Sequence, residues 1–281
     1  MTLDQISTIG KSLVHHGPLS NRVYLIKLTQ EDFPWIVDEI DRFAKKRGYT
    51  KIIAKVPDYA KDTFLEFGFQ AEAFVPRFYC GQNDFYFMGK YFAKHRKIPR
   101  DEERINEVLK AAQARSRDAD SKPIPSKFYC SLMREKDAEE MSELYKQVFA
   151  TYPFPIFDPS YIRETMYSNV RYYGIRDGQK LVALSSAEMD MSGKNAEMTD
   201  FATLPQYRGK GLAGFLLQYM EREIHKFDIK TAFTIARSVS FGMNIAFAKS
   251  GYDFGGTLVN NTNIAGTLES MNVWYKHLAS V

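Results

Sequence analysis

Cysteine is almost missing from this chain of 281 residues, with only Cys80 and Cys130 present. Two cysteines without a C-x-x-C pair or a histidine cluster make neither a disulfide framework nor a zinc site, so no metal is expected. Each follows a Phe-Tyr pair in a strand-like context and reads as a buried reduced thiol. Long apolar runs are absent too, which excludes a spanning helix. Residues 1–17, MTLDQISTIGKSLVHHG, have neither the apolar region nor the cleavage site of a secretory signal. The expectation is a cytoplasmic protein that avoids membranes. No strong charge bias exists either: the net charge is +4. The basic clusters Lys45-Lys46-Arg47 and Lys94-His95-Arg96-Lys97 therefore read as solvated helix faces, not as a nucleic-acid surface. The length allows one large core or two modest ones.

Residues 197–224, EMTDFATLPQYRGKGLAGFLLQYMEREI, carry the strongest signal. A β-prone run ends at Leu204-Pro205, and the basic, glycine-bearing loop Gln206-Tyr207-Arg208-Gly209-Lys210-Gly211-Leu212-Ala213 follows. A helix opens at once, with Leu212, Phe215, Leu216, Tyr219, Met220 and Ile224 at helical spacing. Unpaired amides at a helix start favour an anion, and glycines let phosphates approach the backbone. The P-loop pattern G-x-x-x-x-G-K-[ST] is absent. Gly209, Gly211 and Gly214 match the dinucleotide pattern literally, but the next strand ends at Ala236-Arg237, where that motif needs an acid. The pattern [QR]-x-x-G-x-[GA] remains, matched at 206–211 and again at 208–213.

This loop resembles the acetyl-coenzyme A loop of the GNAT acetyltransferases. The C-terminal half follows that family element by element: a strand at 127–133, helices at 137–149 and near 161–166 (Asp158 capping, Pro159 first), then strands at 171–175 and 181–189 around a D-G turn. Beyond the loop helix come a strand at 231–236, a helix at 241–250 closed by Gly251, and a hairpin at 254–259 and 271–275. The fold expected is α/β, an α+β mixed sheet. A GNAT domain at 126–281 is preceded by a charged helical linker at 94–125, which ends in Lys122-Pro123-Ile124-Pro125. Residues 1–93 read as a reduced GNAT-like half-domain, with strands at 23–27 and 51–56, helices at 33–46 and 59–67, and a hairpin at 71–79 and 84–91. Phe64-Leu65-Glu66-Phe67-Gly68-Phe69 mirrors Phe247-Ala248-Lys249-Ser250-Gly251-Tyr252. Where the second half has its glycine loop, this half has Leu28-Thr29-Gln30-Glu31-Asp32, which would repel a pyrophosphate.

The resemblance implies acetyl-CoA as co-substrate and no metal. Backbone groups of Phe201, Ala202 and Thr203 would pair with the pantetheine arm, and Arg208, Gly209, Lys210, Gly211, Leu212 and Ala213 would hold the pyrophosphate. Asn244 is a further candidate for the cofactor arm. A primary amine, with a pKa of about 10.4, is almost wholly protonated at neutral pH, so a general base matters. Glu197 best matches the family's base position, with Asp200 on the same strand. The family often places a tyrosine as general acid where Phe247 stands here. Tyr252 and Tyr275 are alternatives, and unaided departure of a thiolate is also open, since a thiol has a pKa of about 8.5. The stiff aromatic loop Tyr152-Pro153-Phe154-Pro155-Ile156-Phe157 stands where the fold lines its acceptor groove. Over its whole length the chain is similar to β-lysine N-acetyltransferases of methanogens and bacteria. That likeness implies transfer to the terminal amine and the compatible solute Nε-acetyl-β-lysine, used in osmoadaptation. Glu188, Asp190 and Asp200 would meet the cationic acceptor, and Arg237 its carboxylate. Another small amine or a polyamine as acceptor, or a non-catalytic coenzyme A sensor, are the other readings. A homodimer is compatible with the sequence.

Overall fold

Within residues 4–116, 126–264 and 266–278, the parts of the chain that the computed structural model describes, thirteen strands join in one mixed sheet. The Lys122-Pro123-Ile124-Pro125 linker lies outside the described residues. The chain opens with a hairpin that sequence reading passed over, β1 (Gln5–Ile9) and β2 (Ser12–Gly17), joined by a Gly10-Lys11 turn. β1 is largely exposed, so it shows none of the apolar alternation that marks a half-buried strand. Next come β3 (Arg22–Lys27), α1 (Ile36–Arg47), β4 (Lys51–Pro57), α2 (Lys61–Glu66), β5 (Gln70–Tyr79), β6 (Asn83–Tyr91) and α3 (Glu102–Gln113). The second half runs β7 (Phe128–Leu132), α4 (Ala138–Val148), α5 (Pro159–Tyr167), β8 (Val170–Asp177), β9 (Lys180–Asp190), β10 (Asn195–Thr203), α6 (Leu212–His225), β11 (Thr231–Arg237), α7 (Phe241–Lys249), β12 (Asp253–Ile264) and β13 (Thr267–His277). Asp158 caps α5 by accepting from the Ser160 amide at 2.8 Å, with Pro159 at the first position.

The strand order is β1-β2-β3-β4-β6-β5-β12-β13-β11-β10-β9-β8-β7. Outward from the β5–β12 contact the two sides carry the same connectivity. In each, a parallel pair (β3–β4, β10–β11) is crossed over by a helix and followed by an antiparallel hairpin. The halves meet edge to edge at Gly256 opposite Ala73. Only glycine fits there: φ is +143°, and a Cβ would stand 2.2 Å from the Glu72 carbonyl oxygen.

Three cores follow from the sheet's faces. One lies under α1 and α2, and one joins α4 to α7 with β8, β9 and β10. The third is built from strands alone, with Phe78, Phe85 and Phe87 against Phe233, Leu258 and Val273. Because the Phe78 and Phe233 rings meet at 5.1 Å across the halves, the sheet folds over into two leaves whose inner faces touch.

A buried ionic joint reinforces the fold-over. Lys51 donates to Glu72 at 2.8 Å and to the Val259 carbonyl at 2.7 Å. Arg22 donates to the Asn261 carbonyl at 2.8 Å. Arg96 donates to the carbonyls of Asn260 (2.8 Å) and Ser20 (2.7 Å). Two sequence expectations need correction. Arg96 is buried, not solvated, since its guanidinium bonds the Asn260 carbonyl at the β12 bulge and the carbonyls of Ser20 and Asn21 on the first leaf. Cys80 is exposed, not buried, at the β5–β6 turn, while Cys130 is partly covered.

Candidate active site

β10 and β11 begin as a parallel pair over Asn195–Glu197 and Thr231–Phe233, and no pairing follows beyond Glu197. The cause is a bulge between Thr199 and Ala202 in the β9–β10 ladder, where Asp200 takes φ +56°. β10 stays zipped to β9 through Ala202↔Leu184 and Thr203↔Ala183, so its other edge, at Phe201, Ala202 and Thr203, faces an opening wedge. Main-chain groups of Phe201 and Ala202 there can meet an amide-bearing arm, while the Thr203 carbonyl accepts from Arg208 Nε at 3.3 Å. Just beyond the wedge, Gly209 and Gly211 both take φ +76°, and a Cβ on Gly209, Gly211 or Gly214 would meet nothing within 4 Å. The first helical bond of α6 is Phe215 N–H to the Gly211 carbonyl at 3.1 Å. The amides of Leu212, Ala213 and Gly214 therefore point out from the helix start, where partial positive charge collects. Arg208 and Lys210 are exposed beside them. The wedge and cradle have the shape and donors that a pyrophosphate-bearing thiol carrier needs.

On the inner face three carboxylates converge. Glu188 on β9 is the cross-strand partner of Glu197 on β10. Asp200 accepts from the Tyr152 hydroxyl and, at 2.5 Å, from Ser186 Oγ. Loss of water around them and mutual repulsion hold Glu188 and Glu197 above the usual carboxylate range. Burial does the same for Asp200, against its hydroxyl donors. The Glu188 side chain is nonetheless exposed to solvent. Nearby stand Tyr145, Tyr161 and Tyr172, all pushed up chiefly by burial, with these carboxylates adding to it and a Thr165 bond opposing it at Tyr172. The opposite wall comes from the first leaf. Lys55 Nζ stands 3.5 Å from Glu197 Oε2, and His15 packs on Phe154 with ring centroids 5.2 Å apart. A tyrosine-rich, acidic cleft of this kind suits a cationic amine.

The structure thus brings together Tyr152, Phe154, Glu188, Glu197 and Asp200, next to the cradle of Arg208, Gly209, Lys210, Gly211, Leu212 and Ala213. Four candidates stand elsewhere. Asn244 is fully buried: its amide donates to the carbonyls of Arg237 and Ser240, and its oxygen accepts from Asn272 and Trp274 Nε1. With every hydrogen-bonding position used, it ties α7 to β13 and has nothing left for a cofactor. Tyr252 is buried between Phe247 and Lys276 beside Glu221, and burial then Glu221 hold its hydroxyl well above the ordinary range. That position is on the α6 side, away from the carboxylates. Arg237 makes a two-pronged ion pair with Glu269 at 2.7 and 2.6 Å. Asp190 folds the β9–β10 turn, accepting from the Ser192 and Gly193 amides. Sequence reading missed Lys55, whose one signal is a charge inside the apolar run Ile52-Ile53-Ala54-Lys55-Val56.

The profile of the Acetyltransferase (GNAT) family matches residues 138–252. A β-lysine N(6)-acetyltransferase of Methanococcus maripaludis is 40% identical over 274 residues, 98% of this chain and 99% of that one. The chain belongs to the GNAT acetyltransferase family. An N-acetyltransferase of Bacillus subtilis, YodP, is 37% identical over 84% of this chain and 85% of its own. A β-lysine N(6)-acetyltransferase of Methanosarcina mazei is 32% identical over 81% and 91%. GNAT enzymes draw their acetyl group from acetyl-CoA, and the chain is accordingly an N-acetyltransferase. The family profile begins within α4 and ends before β12, so the first leaf lies outside it.

Proposed function

We propose that the protein transfers an acetyl group from acetyl-CoA to the terminal amine of β-lysine in the cytoplasm. The observation that carries this reading is the acidic, tyrosine-lined cleft at the mouth of the β10–β11 wedge. It stands in a chain whose near-full-length relative is a β-lysine N(6)-acetyltransferase. In this reading the amides of Gly209 to Ala213 hold the pyrophosphate, and the edge at Phe201 and Ala202 aligns the arm. Asp200 attracts the diamino acid's charge, Glu188 lines the same wall, and Glu197 takes the proton from the attacking nitrogen. With Phe247 in place of a hydroxyl donor, Tyr252 enclosed and Tyr275 packed against the strand-only core, the thiolate leaves without a side-chain acid. Acetylation removes one positive charge and leaves a zwitterion of net charge zero, the character of a compatible solute.

The test is acceptor-dependent thiol release from acetyl-CoA with β-lysine, α-lysine and spermidine. β-Lysine is expected to give the highest kcat/KM. A higher value with spermidine would transfer the assignment to polyamines, and tight coenzyme A binding without acceptor-dependent release would make the protein a sensor. Glu197→Gln is expected to lower kcat about 10²- to 10⁴-fold while the acetyl-CoA Kd holds. An unchanged kcat would remove Glu197 as the base.

A further inference from the structure

We propose that Lys55, on the first leaf, is a positioning residue for the general base: its ammonium holds Glu197 oriented and ionised, which makes the N-terminal leaf part of the catalytic site. The inference deepens the acetyl-transfer reading and rests on it.

β4 and β10 are far apart in the sheet order, yet the fold-over brings Lys55 Nζ to 3.5 Å from Glu197 Oε2, with both side chains about one-sixth exposed (16% and 17%). The ammonium is fenced by aromatic faces, 5.0 Å from the Phe233 ring centroid on β11 and 5.8 Å from that of Tyr24 on β3. The ionisable groups facing it are Tyr24 from β3, Tyr79 from β5, Glu188 from β9 and Glu197 from β10. Glu197 in turn faces Lys55, Glu188 and Asp200. Three carboxylates this close cannot all ionise cheaply, and a fixed cation favours the one beside it. Asp200 already holds the hydroxyls of Tyr152 and Ser186, which favour its charged form, and among the described residues no lysine or arginine ion-pairs with Glu188. Lys55 therefore offsets part of the cost of ionising Glu197 and leaves that carboxylate able to receive a proton. Burial lowers the Lys55 pKa, but Tyr24 and the two glutamates outweigh it and hold the value above that of an ordinary lysine. It remains a cation throughout the working range and cannot itself serve as the base. As the nitrogen lone pair forms the N–C bond, the nitrogen's proton passes to Glu197. The electron pair of the breaking C–S bond leaves with the thiolate.

The experiment compares wild type, Lys55→Met and Lys55→Arg. One readout is the pH profile of kcat/KM, and the other is the titration of Glu197 followed by carboxyl carbon-13 NMR in protein without substrate. Lys55 lowers the Glu197 pKa, so its removal raises it. In Lys55→Met the acid limb is expected to move up by about one pH unit, with a loss of about tenfold below it and recovery above it. Lys55→Arg is expected to restore most of the wild-type profile. A lysine that served only the fold would lower activity at every pH and leave the limb in place, and that result, or an unmoved Glu197 titration, overturns the proposal. If β-lysine proves not to be the acceptor, the NMR titration still reads out, so failure of the substrate and failure of Lys55 are separate outcomes.

Discussion

Between β3 and α1 the first leaf fills its turn with Asp32, whereas between β10 and α6 the second leaf leaves its turn open around Gly209 and Gly211. Asp32 is buried and accepts from the Lys11 amide at 2.8 Å and from Ser12 Oγ at 2.6 Å. That carboxylate of the protein itself ties the β3–α1 turn to the β1–β2 hairpin, whereas the glycine turn of the second leaf stays open. The strands differ in the same sense. β3 and β4 pair from Arg22↔Lys51 to Leu25↔Ala54, while β10 and β11 pair over three positions before the bulge parts them. By register, Tyr24 stands in the first leaf where Glu197 stands in the second, each two residues beyond the start of its parallel pair. One architecture therefore yields a closed leaf and an open one, and the difference lies in one turn and one bulge. We read the first leaf as a GNAT-like half-domain that has lost the cofactor cradle and become a wall of the acceptor cleft.

Three substitutions probe that contrast. Gly211→Asp places a side chain at φ +76° and a negative charge in the anion cradle. It is expected to weaken acetyl-CoA binding at least about a hundredfold by calorimetry, with the far-UV dichroism kept. Affinity near wild type would mean that the open turn is not the binding site. Gly256→Ala attacks the joint between the leaves, where a Cβ meets the Glu72 carbonyl oxygen at 2.2 Å. A loss of about 3 kcal/mol in denaturant unfolding is expected; a neutral result would show that the leaves can slide apart at no cost. Asn244→Ala leaves Trp274 Nε1 and the Asn272 amide without their acceptor in a dry site. About 2 kcal/mol of stability should go while the acetyl-CoA Kd stays within about twofold. A large rise in Kd would return Asn244 to the cofactor site.

The glycine loop and the helix after it were legible because both signals are local. A positive φ selects glycine at its own position, and an apolar face repeats every three or four residues whatever lies against it. The same holds for the Asp158-Pro159 cap and for the strand–helix order of the second half. Side-chain partners were not legible in that way. Asn244 and Tyr252 were named from their places relative to a helix; Asn244 is consumed by partners that include Asn272 and Trp274 on β13, and Tyr252 is enclosed beside Glu221 on α6. Arg96 read as a solvated charge because nothing in Lys94-His95-Arg96-Lys97 reveals the unpaired carbonyls of β12, more than 160 residues away. The pairing of Lys55 with Glu197 depends on which sheet faces meet after the fold-over at Gly256. Chemistry written into a turn or a helix face needs only its immediate neighbours in the chain. The ionisation of a carboxylate needs the charges and the water around it, and only the meeting of the two leaves supplies those.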